Sequence, residues 1–166
     1  PITEDDRSRT EISPWGGRVR ISNIGESIPQ YLDFGLNAQR DFEKYKSRWN
    51  PQTQGRLPAD WQARVSRWAM RDYPVCAFAH GGYGVLRELM GGEGLSLAFY
   101  DEEALIDEVC EFWADFLIEL FEKPLSDVKI DYFLFWEDLA GKSGPLVSPA
   151  HFRRFFLKHY RRVIES

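Results

Sequence analysis

The chain has 166 residues, with 21 Lys and Arg against 26 Asp and Glu and a net charge of -5. That length suits one domain, and the acidic balance excludes a generic nucleic-acid binder, which needs clustered cations to neutralise phosphates. Apolar residues at 43% and aromatics at 15% exclude wholesale disorder and point to a dense core or an aromatic-lined cleft.

Residues 1–14 are rich in charge and lack apolar periodicity, so they read as a mobile or extended lead-in. Over 15–34, Val19 and Ile21 alternate with Arg18, Arg20 and Ser22, and glycine turns flank them, which predicts a small antiparallel hairpin. Asn37 can cap a short helix carrying Phe42 and Tyr45 on one face. After a loop over 50–58, Asp60 reads as the N-cap of a helix with Trp61, Val65 and Trp68 at helical spacing.

Residues 73–79, YPVCAFA, form a short apolar run that predicts a buried strand. The turn His80-Gly81-Gly82-Tyr83-Gly84 and a short helical stretch over 85–90 follow. The strongest helix runs over 101–123, with Leu105, Ile106, Val109, Phe112, Trp113, Phe116 and Leu117 in an unbroken stripe, and Pro124 marks its end. Residues 130–136, IDYFLFW, predict a second buried strand, followed at once by Glu137-Asp138. A loop over 141–147 leads to Ser148-Pro149, an N-cap with Pro at the first helical position. The final helix places Phe152, Phe155, Phe156 and Tyr160 on one side. Arg153, Arg154, Arg161 and Arg162 fall mostly on the other, as a solvated basic face.

Strand, helix, strand, helix is a βα repeat, and strands apolar at nearly every position belong to parallel sheets covered on both faces. Only two such strands are present, whereas a closed (β/α)8 barrel has eight and takes about 250 residues. The expected fold is therefore α/β: a partial TIM barrel of parallel βα units, with an N-terminal β-hairpin and helical lead-in. Cys76 and Cys110 both lie in apolar stretches and read as core thiols of a reducing compartment. No apolar run reaches the 18 or so residues of a membrane span. With a polar N-terminus, the expected location is the cytoplasm, away from membrane and nucleic acid.

Glu137-Asp138 sits just past the carboxyl end of a predicted strand, where α/β folds collect catalytic groups. Two adjacent carboxylates can shift each other's pKa and serve as acid, base or cation ligand. The plainer account is that one caps the next loop and the other is solvated. His80 heads a glycine-rich turn that can present N–H groups to an anion, or simply needs glycine for a tight turn. Cys76 and His80 lack the further ligands zinc requires, so no metal set is assigned. Tyr83 and Trp136 belong to strand-end segments that can line a cleft.

The stretch 131–162, with its WED…AGKSGPLVSP block, resembles the uroporphyrinogen decarboxylase superfamily. So does 75–92, with its small-residue turn and Met-Gly-Gly tail. Trp15-Gly16 and the Arg56-x-Pro58 region are similar to the branch related to corrinoid-dependent methyltransferases. The resemblance implies a TIM barrel, of which residues 15–166 would be an incomplete domain. It implies methyl transfer involving a corrinoid. The alternatives are decarboxylation of uroporphyrinogen acetate arms, or a self-associating fragment without catalysis.

Carried over by position, Glu88 falls where the decarboxylases place a substrate-contacting tyrosine, and Asp138 where they place a serine. Glu137 and Asp138 become the catalytic candidates, with His80, Tyr83, Glu88 and Trp136 lining the substrate site. Cobalamin and zinc would belong to the complete enzyme, since the family's zinc motif has no counterpart here. The implied partners are a small-molecule or corrinoid-protein substrate and, through an open sheet edge, a second copy of the chain.

Overall fold

The computed structural model describes residues 1–25, 27–37 and 39–166, and for Gln39 the backbone alone. The chain opens with β1 (Thr3–Glu4), β2 (Ser8–Ile12), β3 (Arg18–Ser22) and β4 (Gln30–Tyr31), a four-stranded antiparallel sheet in that order. The expected hairpin is thus the second half of a larger sheet, and residues expected as a lead-in supply its first two strands. Glu26, inside the expected hairpin, lies outside the described residues. Val19, the buried residue of β3, pairs with Glu11 of β2 and Tyr31 of β4.

Two helices follow, α1 (Gln39–Arg48) and α2 (Trp61–Ala69). Phe42 and Tyr45 of α1 enter the core, as their spacing requires, and the Tyr45 hydroxyl donates to the Trp15 carbonyl at 2.7 Å. Asp60 does not cap α2; its carboxylate takes Arg64 at 2.9 Å instead.

The centre of the chain is β5 (Cys76–His80), α3 (Gly82–Asp101), α4 (Glu103–Asp127) and β6 (Tyr132–Trp136). β5 and β6 are parallel neighbours, Cys76 opposite Tyr132, Phe78 opposite Leu134 and His80 opposite Trp136. Asp131 pins this register. Its carboxylate accepts from Val75 N at 2.8 Å and pairs with Arg71, while its own N–H donates to the Val75 carbonyl at 2.9 Å. The helical stretch expected to stop near Met90 continues to Asp101, kinked at Gly91, whose φ of 74° breaks the helical path. Pro124 sits inside the last turn of α4 rather than ending it. Its carbonyl still accepts from Val128 N, since a proline forfeits only its own N–H.

A short ribbon, β7 (Ala140–Gly141) with β8 (Gly144–Pro145), occupies the expected loop. The final helix begins at α5 (Pro149–His151), where Ser148 Oγ accepts from His151 N at 3.1 Å. It passes through a π-helical turn (Phe152–Phe156) and ends as α6 (Leu157–Glu165). The wider turn lets both Phe155 and Phe156 bury against α3 and α4.

The barrel expectation is overturned. The strands divide among an antiparallel four-stranded sheet, a parallel pair and an antiparallel ribbon, and two parallel strands cannot begin to close a ring. The expectation that β5 and β6 are covered on both faces also fails. Ala77, Ala79, Phe133 and Phe135 lie on one face, where Phe121 and Trp113 of α4 meet Phe133 and Phe135 at 4.8 and 6.1 Å. The opposite face leaves Phe78, Tyr132 and Leu134 exposed by 52%, 54% and 49%. Cys76, expected in the core, lies on this open face, while Cys110 is buried in α4; both are free thiols.

Candidate functional site

β5 and β6 end side by side, so His80, Trp136, Glu137 and Asp138 gather at one edge of the molecule, above the first turn of α3. Glu137 Oε2 accepts from Gly84 N at 2.7 Å, and the Tyr83 N–H also points to this carboxylate. Glu137 therefore serves α3 as a cap delivered from the neighbouring strand. Gly81 N donates to the Trp136 carbonyl at 2.9 Å and Gly82 N to the Tyr160 hydroxyl at 2.9 Å. A side chain at Gly81 would collide with Glu137 Oε1 and the Tyr160 hydroxyl, and one at Gly84 with the Trp136 carbonyl. Glycine is needed here for close approach, rather than for an anion cradle.

Burial pushes the Glu137 carboxyl up to about 7, against the two N–H groups that favour its anion. Its Oε1 is buried without a hydrogen-bond partner among the described residues. Asp138 forms an ion pair with Arg87. The two adjacent carboxylates thus separate into different settings, one capping a helix from a dry site and one neutralised by a cation.

His80 is packed among aromatics: Trp15 at 5.0 Å, Trp136 at 5.0 Å and Phe78 at 5.9 Å between ring centroids. Burial holds its pKa below the usual imidazole value. Tyr83 does not line the strand ends. It turns into the core and meets Phe156 edge-on at 6.0 Å. Glu88 lies further along α3, where it accepts from the Tyr31 hydroxyl at 2.8 Å; burial, then this hydrogen bond, raises Tyr31 to about 12. Of the six expected residues, four meet at the strand ends, and the two on α3 have structural partners elsewhere.

The residues present do not fit the implied zinc site. Cys76 and His80 share the open face of β5 without a third ligand. Among the described residues, no three His, Cys, Asp or Glu side chains stand where a metal could be held.

The feature the sequence reading did not anticipate runs along the free edge of β5. Two hollows of about 310 and 410 Å³ lie end to end there. Val75 to Phe78 border one and Phe78 to His80 the other, and Arg56, Phe78, Leu120 and Phe121 belong to both. Five of the six tryptophans, Trp15, Trp49, Trp61, Trp68 and Trp113, wall this groove. Trp113 Nε1 donates to the His80 carbonyl at 2.9 Å and closes one end of the strand edge. The tryptophan content was the available signal, but its convergence depends on loops whose path is not readable locally.

No family profile and no solved structure matches the chain. A curated protein does: the P840 reaction center 17 kDa protein of Chlorobaculum thiosulfatiphilum, 31% identical over 90 residues. The match takes in 51% of this chain and 62% of that protein. The expectations of corrinoid methyl transfer and of porphyrinogen decarboxylation are overturned. The described residues do not form the barrel that carries that chemistry, and the matching protein is named as part of a reaction centre. The expected partners, a small-molecule or corrinoid-protein substrate and a second copy, fall with them. Among the described residues, no helix is long and apolar enough to cross a membrane.

Proposed function

We propose that the chain is a subunit of a multiprotein complex of the reaction-centre kind and docks through the open aromatic side of its parallel strand pair. The observation that carries this reading is the half-exposed trio Phe78, Tyr132 and Leu134 on a sheet face whose reverse side is core. A contiguous apolar face on a rigid sheet is the mark of a protein-binding surface. The chain's similarity to a reaction-centre protein supports the same conclusion, although it spans less than two thirds of that protein's length.

The test is a titration of the purified chain into P840 reaction centres stripped of their 17 kDa protein, read by co-sedimentation. Saturable, one-to-one binding that added 17 kDa protein competes away is expected. Leu134→Asp should weaken it by about tenfold or more, as loss of an apolar anchor does. An absence of binding, or binding indifferent to Leu134→Asp, overturns the proposal.

A further inference from the structure

The edge of β5 offers hydrogen-bonding groups as well as apolar walls. In a parallel ladder, alternate residues of a strand point both main-chain groups to the same neighbour. Gly81 N donates to the Trp136 carbonyl, so Ala77 and Ala79, in phase with Gly81, face β6. Cys76, Phe78 and His80 then face the groove. The His80 carbonyl is taken by Trp113, but among the described residues the main-chain groups of Cys76 and Phe78 have no partner. An unpaired strand edge beside an apolar groove is how domains accept an added strand. Backbone bonds provide affinity, and the walls select alternate side chains.

The groove also has a charge preference. Arg56 borders both hollows, stacks over the Phe116 ring at 5.4 Å and hydrogen-bonds only main-chain carbonyls, those of Arg48 and Asn50. No carboxylate pairs with it among the described residues. His80 and Cys76 are the other titratable side chains on the groove wall, and burial holds the His80 pKa below the usual imidazole value. Among the described residues the groove therefore has one lasting positive charge at its middle and no carboxylate.

We propose that the groove along β5 binds an extended apolar segment of a partner protein, added as a strand and carrying an acidic side chain that meets Arg56. This rests on the docking reading above and names the chemistry of its partner.

The probe is a fluorescent peptide of about seven residues, enough to span a five-residue strand at about 3.3 Å per residue. It alternates Val and Thr and has a central Asp. A second peptide carries Lys in its place. The Asp peptide should bind about tenfold or more tighter than the Lys peptide, with that order reversed in Arg56→Glu. Hydrogen exchange at the Cys76 and Phe78 amides should slow when it binds. Equal affinity for the two peptides, protection on β6 instead of β5, or concentration-dependent pairing of the chain that excludes peptide would each overturn the inference.

The reconstitution above separates the two failures. A chain that still enters the complex while ignoring the peptide leaves the docking reading standing. A chain that binds peptide but never enters the complex does the reverse.

Discussion

Arg154 holds Asp107 with both arms of its guanidinium, Nη1 to Oδ1 at 2.8 Å and Nη2 to Oδ2 at 2.7 Å. The pair is one rung of a ladder. Glu103, Asp107, Glu111 and Asp115 recur every fourth residue along α4, and Arg154, Lys158 and Arg162 recur every fourth residue along the last helix. The two rows face each other because i,i+4 residues share one side of a helix. Beneath them His159 is fully buried, with Glu111 at 3.6 Å and its pKa depressed by burial.

This ladder predicts salt-sensitive docking of the last helix. Hydrogen bonding from Arg154 holds the Asp107 carboxyl below the usual carboxylate range. Its contribution is present above the unfolded value of 3.8 and is lost as pH falls through the lower, folded value. Asp107→Asn should lower the melting temperature at pH 7 in low salt. The difference from wild type should shrink in 1 M NaCl, where the screening length is about 3 Å. A difference that does not change with salt would remove the electrostatic account.

The parts legible in the sequence are those whose cause is local. Both central strands, the stripe of α4 and the Ser148 cap follow from apolar runs, helical spacing and a hydroxyl before a proline. β1 and β2 are not legible, because Thr3, Glu4 and Ser8 to Glu11 show no apolar alternation; only pairing makes them strands, β2 with β3 and β1 with β2. The barrel failed for a similar reason. Two apolar strands look alike whether a sheet has two or eight, since strand number is not a local property. Cys76 was misplaced because an apolar strand implies burial only if something covers it. Arg153 and Arg161 are exposed, as a solvated face requires, but the pairing of Arg154 and Arg162 is not legible locally, because their partners lie 47 to 51 residues away on α4. At the candidate site, the strand-end position of Glu137 was legible. Its role as a cap for α3 was not, since that requires knowing that β6 lies beside β5.

The buried carboxyl of Glu137 gives the fold a pH dependence of opposite sign to that of Asp107. Its folded pKa of about 7 lies above the unfolded 4.5, so the native state holds the proton more tightly. Stability from this group is fully present below pH 4.5 and declines as pH rises to 7. The shift corresponds to about 3 kcal/mol at roughly 1.4 kcal/mol per unit. Glu137→Gln keeps the shape without the charge and should be more stable than wild type at pH 8, with a flat profile between pH 5 and 7. Urea unfolding across that range decides the matter, and parallel curves for the two proteins would count against it.

Gly91 is predicted to be intolerant of any side chain. Its φ of 74° with ψ of 168° is a region open to glycine alone, and the Phe34 ring occupies the space a Cβ would take. Gly91→Ala should cost about 1–3 kcal/mol from the backbone alone, with more from displacing Phe34 out of its stack on Tyr31 at 5.3 Å. Gly92, with none of the described residues within 4 Å of its Cβ position, should accept alanine at little cost. Denaturant midpoints for the two variants make the comparison, and equal losses would show that the kink is not held by Gly91.

Leu134 and Phe78 should separate folding from docking. They are neighbours on the open face of the parallel pair, each about half exposed, and no core residue depends on their outer surface. Leu134→Asp should change stability by no more than about 0.5 kcal/mol, the usual range for surface substitutions. The same change puts a charge into an apolar patch and should reduce binding of a hydrophobic dye to the native chain. Phe78 borders both hollows of the groove as well, so Phe78→Asp should impair the peptide and the complex together, while Leu134→Asp should impair only the complex. If Leu134→Asp instead unfolds the chain, its side chain is part of the core and the open face is not a docking surface.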